Sequence, residues 1–360
     1  MTRFLVLFAV MISLSACNGT NPFDEIEANT GTATTTPNTT TPDTSGEADN
    51  EPEDEGGPIS SNTFVLPGTA NPSASTAIFR SEARSEGSGN GYAEGFSYDA
   101  ATDTFTVDNL AFDGDSAYTV VMDGGSRLGM GPFSVFEAPA NAVDGLTSSQ
   151  VEQLTYRALY AVSPDGNSSI AIVRTAAYIN YGFGGFIYQR DGGVTLPLSG
   201  QALYTNHPST PFNYGGLRDF EGQGGLEYVR GKAEIAIDFD DFNSGSAVLG
   251  TISERRIFDM NNVDQTNAIL TALNNRDGGA LVELPEIRFL IEGSGVINAS
   301  GEMTGKVISA AGGVFTDGKY YAVLSGNNAE TITGIIVVTG ADPRGDYTVR
   351  ETGGFFAVRQ

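Results

Sequence analysis

From about residue 62 the chain runs in short alternating segments cut by Gly, Asp and Asn, the period-two signature of half-buried β-strands. Thr104 to Asp108 puts Phe105 and Val107 on one face. Ala77 to Phe79, Ala117 to Met122, Phe133 to Phe136 and Ser168 to Ile179 read as further strands. The second half is more regular. Ala233, Ile235, Ile237 and Phe239 share one face of a strand whose other face carries Lys232, Glu234 and Asp238, and Ile287 to Glu292 repeats the pattern with Arg288 and Glu292 outward. Eight candidates follow in succession: Leu198–Tyr204, Tyr228–Phe239, Ala247–Ile257, Ile287–Ile297, Gly301–Ser309, Gly318–Leu324, Thr331–Thr339 and Val349–Arg359. Short turns between consecutive strands predict an eight-stranded antiparallel up-and-down β-barrel, a closure that removes exposed edges. Its outward charges predict a water-facing wall instead of a lipid-facing one. The expected class is all-β, with Leu146 to Leu154 the only helical hint.

The first 61 residues do not fit this pattern. Arg3 precedes an apolar run from Phe4 to Ile12 that is too short to span a bilayer and has the length of a signal-peptide core. Leu14-Ser15-Ala16-Cys17 then reads as a lipobox, in which Cys17 is acylated and becomes an anchor. Asn18 after it, in place of Asp, agrees with sorting to the outer membrane of a Gram-negative cell. Residues 18–61 hold Thr-Pro runs and the acidic stretch Glu47 to Glu55, with no Lys or Arg between Arg3 and Arg80. Such a segment reads as a disordered, self-repelling tether.

Composition narrows the options further. With 44 Asp and Glu against 19 Lys and Arg, the net charge is −25, which disfavours nucleic acid as a partner. One cysteine allows no internal disulfide. The single histidine, His207, cannot build a His-cluster metal site, and a Ser–His–acid triad would have to use it. It lies in a Pro- and Ser-containing stretch with no nucleophile elbow nearby, so no catalytic residue, cofactor or metal is expected. His207 is either a solvated loop residue or an iron ligand at the barrel mouth with Tyr204 or Tyr214. Asp238, Asp240 and Asp241 offer oxygen ligands of the kind calcium takes, but with no EF-hand-like loop they read better as a charged strand end meeting the turn at Asn243 to Gly245, while Asp113 to Asp115 and Asp123 to Gly125 have hairpin-turn chemistry. Two long connections stand out as binding candidates: Asn206 to Gly225, with His207, Phe212, Tyr214 and Phe220, and Phe258 to Glu283, with Arg276. Their aromatics either anchor a partner or fold back to plug the barrel.

The C-terminal 160 or so residues resemble the β-barrel domain of transferrin-binding surface lipoproteins. The likeness rests on Gly231-Lys232-Ala233 leading to Asp238-Phe239, on Gly250-Thr251-Ile252, and on Gly313-Val314-Phe315 through Gly318-Lys319-Tyr320-Tyr321. Asn328-Ala329-Glu330 with Gly334 and the ending Gly353 to Gln360 complete it. Ala322 and Phe356 stand where that family often has Gly. The resemblance implies a β-rich handle over residues 62–193 followed by the barrel over 194–360, on a cell-surface lipoprotein held by its lipid in the outer membrane. It further implies binding of a host or environmental macromolecule or an iron- or haem-bearing ligand, delivered to a TonB-dependent receptor. An adhesin or coat lipoprotein with no transported ligand is the alternative.

Overall fold

Alternation in the C-terminal half builds a closed sheet. The computed structural model describes residues 66–360 except 111–116, 144–145, 153, 176–181, 242–246 and 291–295. The leader, the lipobox with Cys17, the tether and the turns at Asp113 to Asp115 and Asn243 to Gly245 therefore lie outside the described residues. All described residues fall in one compact unit.

The N-terminal sheet contains β1 (Ile78–Ser81), β2 (Gly95–Asp99), β3 (Thr104–Asp108), β4 (Tyr118–Val120), β5 (Phe133–Glu137), β6 (Arg157–Val162), β7 (Ser168–Arg174) and β8 (Gly184–Arg190). They lie in the order β1-β8-β7-β6-β5-β4-β3-β2, all neighbours antiparallel, with the short strand Gly129–Met130 added beside β5. This sheet curls into a half-barrel. The ribbon Met122–Asp123 with Ser126–Arg127 turns through Gly124 and Gly125, both at positive φ. Residues 150–152 pair with Asn141–Val143, so the helix expected at Leu146 to Leu154 is corrected to a strand ribbon. Its Gln and Glu side chains are exposed on that ribbon.

The second sheet contains β9 (Gln201–Thr205), β10 (Tyr214–Phe220), β11 (Leu226–Asp238), β12 (Val248–Asp259), β13 (Ile287–Phe289), β14 (Glu302–Ser309), β15 (Phe315–Ser325), β16 (Thr331–Ala341) and β17 (Thr348–Arg359). From β10 to β17 each strand pairs with the next, and β17 pairs back to β10, closing eight staves. The first stave is split. β9 pairs β11 and β17 at one end of the barrel, and β10 pairs the same two strands at the other. At the break the Asn213 side chain replaces the ladder: its Nδ2 donates to the Ala233 carbonyl (3.0 Å) and its Oδ1 accepts from the Ala233 N–H (2.7 Å).

The long connection expected from Asn206 to Gly225 is thus corrected. Only residues 206–213 leave the wall, because Tyr214–Phe220 finds ladders on both sides. The second connection holds an α-helix, α1 (Thr266–Asp277), begun where Asp264 Oδ1 accepts from the Thr266 N–H and ended at Gly278, φ +63°. Ile269, Leu270 and Leu273 of α1 join the lumen core and cover one mouth. Among the described residues no helix is long and apolar enough to cross a membrane.

Two faces of the wall differ. Staves β10, β15, β16 and β17 turn Leu217, Val323, Ile335 and Phe356 toward the half-barrel, where they pack on Phe133, Leu159, Ile170 and Phe186. Close approach there depends on missing side chains: a Cβ at Gly354 would lie 2.7 Å from the Phe133 ring, and one at Gly353 would lie 2.2 Å from the Tyr214 hydroxyl on the lumen side. Phe356 fills this interface, with its ring 6.1 Å from that of Phe133. Ala322 sits in register with Gly334, which leaves room for it beside Phe355. The remaining wall is water-facing, with Glu234, Arg256, Arg288 and Lys306 exposed.

Candidate functional site

Register decides where the charges go. Arg218 of β10 stands in the ladder between Glu227 of β11 and Glu351 of β17, all three turned into the lumen. Its neighbour Asp219 points the other way, opposite Arg350 on the outer face. Two ion networks result, one inside the barrel and one in the seam against the half-barrel.

Inside, Arg218 bonds Glu227 and lies 3.4 Å from Glu351 and 3.6 Å from Asp342, while Arg255 bonds Glu351. Arg344 pairs Glu227 at 2.6 Å and Asp342 at 2.7 Å, and the Tyr214 hydroxyl donates to Glu351 at 2.7 Å. Three cations thus face three anions, which offsets the cost of burying them. Burial, with Glu351 alongside, holds the Tyr214 phenol well above its usual value. Burial alone would raise Asp342, but hydrogen bonds from Arg344 outweigh it and keep that carboxyl below the usual range. The rest of the lumen is packed: Phe289 stacks on Tyr320 at 4.4 Å and meets Phe355 edge-on at 6.3 Å. Beneath α1 a cavity of about 20 Å³ remains, lined by Arg218, Arg255, Leu273 and Phe315. That is room for roughly one water.

In the seam, Arg350 binds Asp219 through Nη2 at 2.7 Å and Nε at 3.1 Å. Arg174, fully buried, reaches Glu82 at 3.0 Å and donates to Thr352 Oγ1 at 3.1 Å. Arg80 pairs with Glu302 at 2.5 Å. Arg190 caps the carbonyls of Ser300 and Leu324 at 2.8 Å each. Beside this network the half-barrel and the wall enclose a groove of about 250 Å³. Leu66, Glu82 and Phe186 form one side, and Lys319, Tyr321 and Val337 form the other. Tyr321 is half-buried against Phe186, ring centres 6.2 Å apart, and burial with nearby Glu82 raises its phenol. Lys319 is exposed on the rim, in register with exposed Lys306.

The residues singled out from sequence do not form one surface. His207 is half-buried in the loop at the stave break, its Nδ1 2.7 Å from Ser209 Oγ. Phe212 lies under the Arg230 guanidinium at 4.9 Å, and the same guanidinium covers Phe258 at 4.6 Å. Tyr214 and Phe220 are buried strand residues, so the expected loop anchors at these positions are core instead; Phe220 meets Tyr347 edge-on at 5.6 Å. Tyr204 is buried and donates to the Ala329 carbonyl at 2.7 Å, so neither tyrosine is presented beside His207 as an iron ligand. Arg276 is exposed at the end of α1 and pairs with adjacent Asp277 at 2.6 Å. Asp238 is spent on its own turn, accepting from Gln201 Nε2 (2.7 Å) and the Asp240 N–H (2.9 Å). The seam groove went unforeseen, because it joins segments more than a hundred residues apart; the outward apolar Tyr321 and Val337 were its only sequence trace.

Comparison with solved structures finds transferrin binding protein B. A double mutant of the protein from Haemophilus parasuis Hp5 aligns at 11% identity and TM-score 0.33, covering 74% of this chain and 45% of that one. Intact Ap-TbpB, with N and C lobes, aligns at 13% and 0.31, covering 71% and 44%. The protein from serogroup B Neisseria meningitidis aligns at 14% and 0.29, covering 58% and 35%. This chain thus spans less than half the length of these structures. No family model and no curated protein matches the sequence. Likeness at these levels carries nothing about what the chain binds.

Proposed function

We propose that the chain is a lipid-anchored binding protein of the Gram-negative outer membrane, held through Cys17, that engages a macromolecule with its outer surface. The observation that carries this reading is the filled barrel. Among the described residues the lumen is covered by α1, packed with aromatics and crossed by three ion-paired arginines, and the cavity beneath α1 holds about one water, which favours recognition at exterior concavities. The seam groove is the contact favoured here, since it combines half-exposed Tyr321 and Val337 with a charged rim. An iron-bearing protein handed to a TonB-dependent receptor is the finer form of the proposal.

The test uses the full-length lipoprotein on cells grown with and without iron. A macromolecule is captured from host or environmental fluid and identified by mass spectrometry. Tyr321→Ala combined with Val337→Ser is expected to weaken that capture by about tenfold or more. Undiminished capture by this variant removes the seam. Attachment or biofilm that depends on the protein without iron response or captured ligand turns the reading to an adhesin.

A further inference from the structure

The half-barrel is left open along one strand. β2 ends the sheet order, and among the described residues no strand pairs with its outer edge. The opposite end is treated differently: Gly68 bridges Arg80 of β1, the Thr69 N–H reaches the Phe79 carbonyl at 3.0 Å, and the Ser81 N–H reaches the Pro67 carbonyl at 3.1 Å. The barrel strands β10 to β17 instead pair in a closed ring. An uncovered edge offers a row of main-chain donors and acceptors to any incoming strand. Proteins usually blunt such an edge with Lys, Pro or a bulge, and Gly95-Phe96-Ser97-Tyr98-Asp99 carries none of these.

A side-chain surface accompanies the edge. β6 is four places from β2 in the sheet, about 19 Å in a flat one. Yet Tyr160 lies 5.5 Å from Phe96 and 5.2 Å from Tyr98, ring centre to ring centre. The sheet therefore curls with these aromatics on its concave side, and all three are half-exposed. Around them Glu94, Asp99 and Asp108 are exposed carboxylates, and the one cation beside Tyr98 among the described contacts, Arg127, is paired with Asp103 at 2.5 Å.

We infer that the outer edge of β2 is a docking site for an extended segment of a partner protein, apolar at alternate positions and basic at its ends. The segment adds to the half-barrel as a further strand. Its main chain pairs with β2, its alternate side chains rest on Phe96, Tyr98 and Tyr160, and its basic ends meet Glu94, Asp99 and Asp108. A second copy of this chain is the poorer occupant, because pairing β2 with itself sets those carboxylates against their own kind.

The experiment uses the full-length lipoprotein in nanodiscs and a labelled peptide of alternating Thr and Val flanked by Lys, with binding followed by anisotropy. Saturable binding is expected, weakened about tenfold by Phe96→Lys, by Tyr98→Lys and, away from the edge, by Tyr160→Ser. Replacing the terminal Lys with Glu weakens it too. N-methylation of alternate peptide amides abolishes binding in one register and spares it in the other, and bound peptide slows amide exchange in β2. Circular dichroism confirms that each variant is folded. No saturable binding, equal tolerance of both N-methyl registers, protection outside β2, or a self-associated chain whose β2 edge is already protected would each overturn the assignment.

Discussion

The barrel and the half-barrel are built from the same kind of strand and solve the edge problem in opposite ways. The barrel closes on itself, packs its lumen with aromatics and pairs its buried arginines with acids inside it. Among the described residues the half-barrel stops short of closure, covers one edge with Pro67 to Thr69 and keeps half-exposed aromatics in the open curl. Closure provides rigidity, and its absence provides a surface. The seam ties the second to the first through arginines whose partners lie across the two sheets.

This contrast can be broken most severely from inside the barrel. Glu351→Ala leaves Arg218, Arg255 and the Tyr214 hydroxyl without their shared acceptor and is expected to cost about 3–5 kcal/mol, read from urea unfolding. In the seam, Arg350→Ala takes from Asp219 its bidentate partner, leaving only Arg174 at 3.9 Å, and is expected to cost about 3 kcal/mol, whereas the double change Arg350→Met with Asp219→Leu recovers most of it. Failure of the double variant to recover would show that the pair does more than neutralise itself.

Alkali tests the same packing. Burial raises the phenols of Tyr204, Tyr214 and Tyr320 above the usual tyrosine value of about 10. A group with a raised folded value contributes stability that is fully present below the unfolded value and is lost as pH climbs past it. Stability should therefore fall above about pH 10, with the phenolate absorbance of these three rising only as the barrel unfolds. Acid works with the reverse sign at Asp342, whose depressed value contributes stability that disappears as pH falls below about 4; Asp342→Asn should flatten that loss. The smallest effect belongs to the open curl. Tyr160→Ser should cost only about 1–2 kcal/mol, and β2 amides should exchange well before those of β16 and β17. Equal protection of β2 would contradict the open edge.

Much of this was readable in the chain. Strands such as Thr104–Asp108 and the Lys232 to Asp238 half of β11 declare themselves, because apolar side chains fall on alternate positions whichever strand lies beside them. β10 did not. Tyr214 to Phe220 contains two glycines and the adjacent pair Arg218-Asp219, which break alternation and resemble a loop until β11 and β17 bring Glu227 and Arg350 into register. α1 was equally hidden, since Thr266 to Asp277 contains three asparagines and shows only a single apolar turn, fixed as helix by the lumen that receives Ile269 and Leu273.

By itself the sequence determined an all-β chain, the positions of most barrel strands, and outward charges on the wall. These follow from local periodicity, which needs no knowledge of neighbours. Tertiary structure alone decided that His207 and Phe212 lie at a break in a stave, that Tyr214 is core, and that a groove and an open edge exist. Each of those depends on which strands become adjacent, and adjacency is set by register over long separations that no local pattern records.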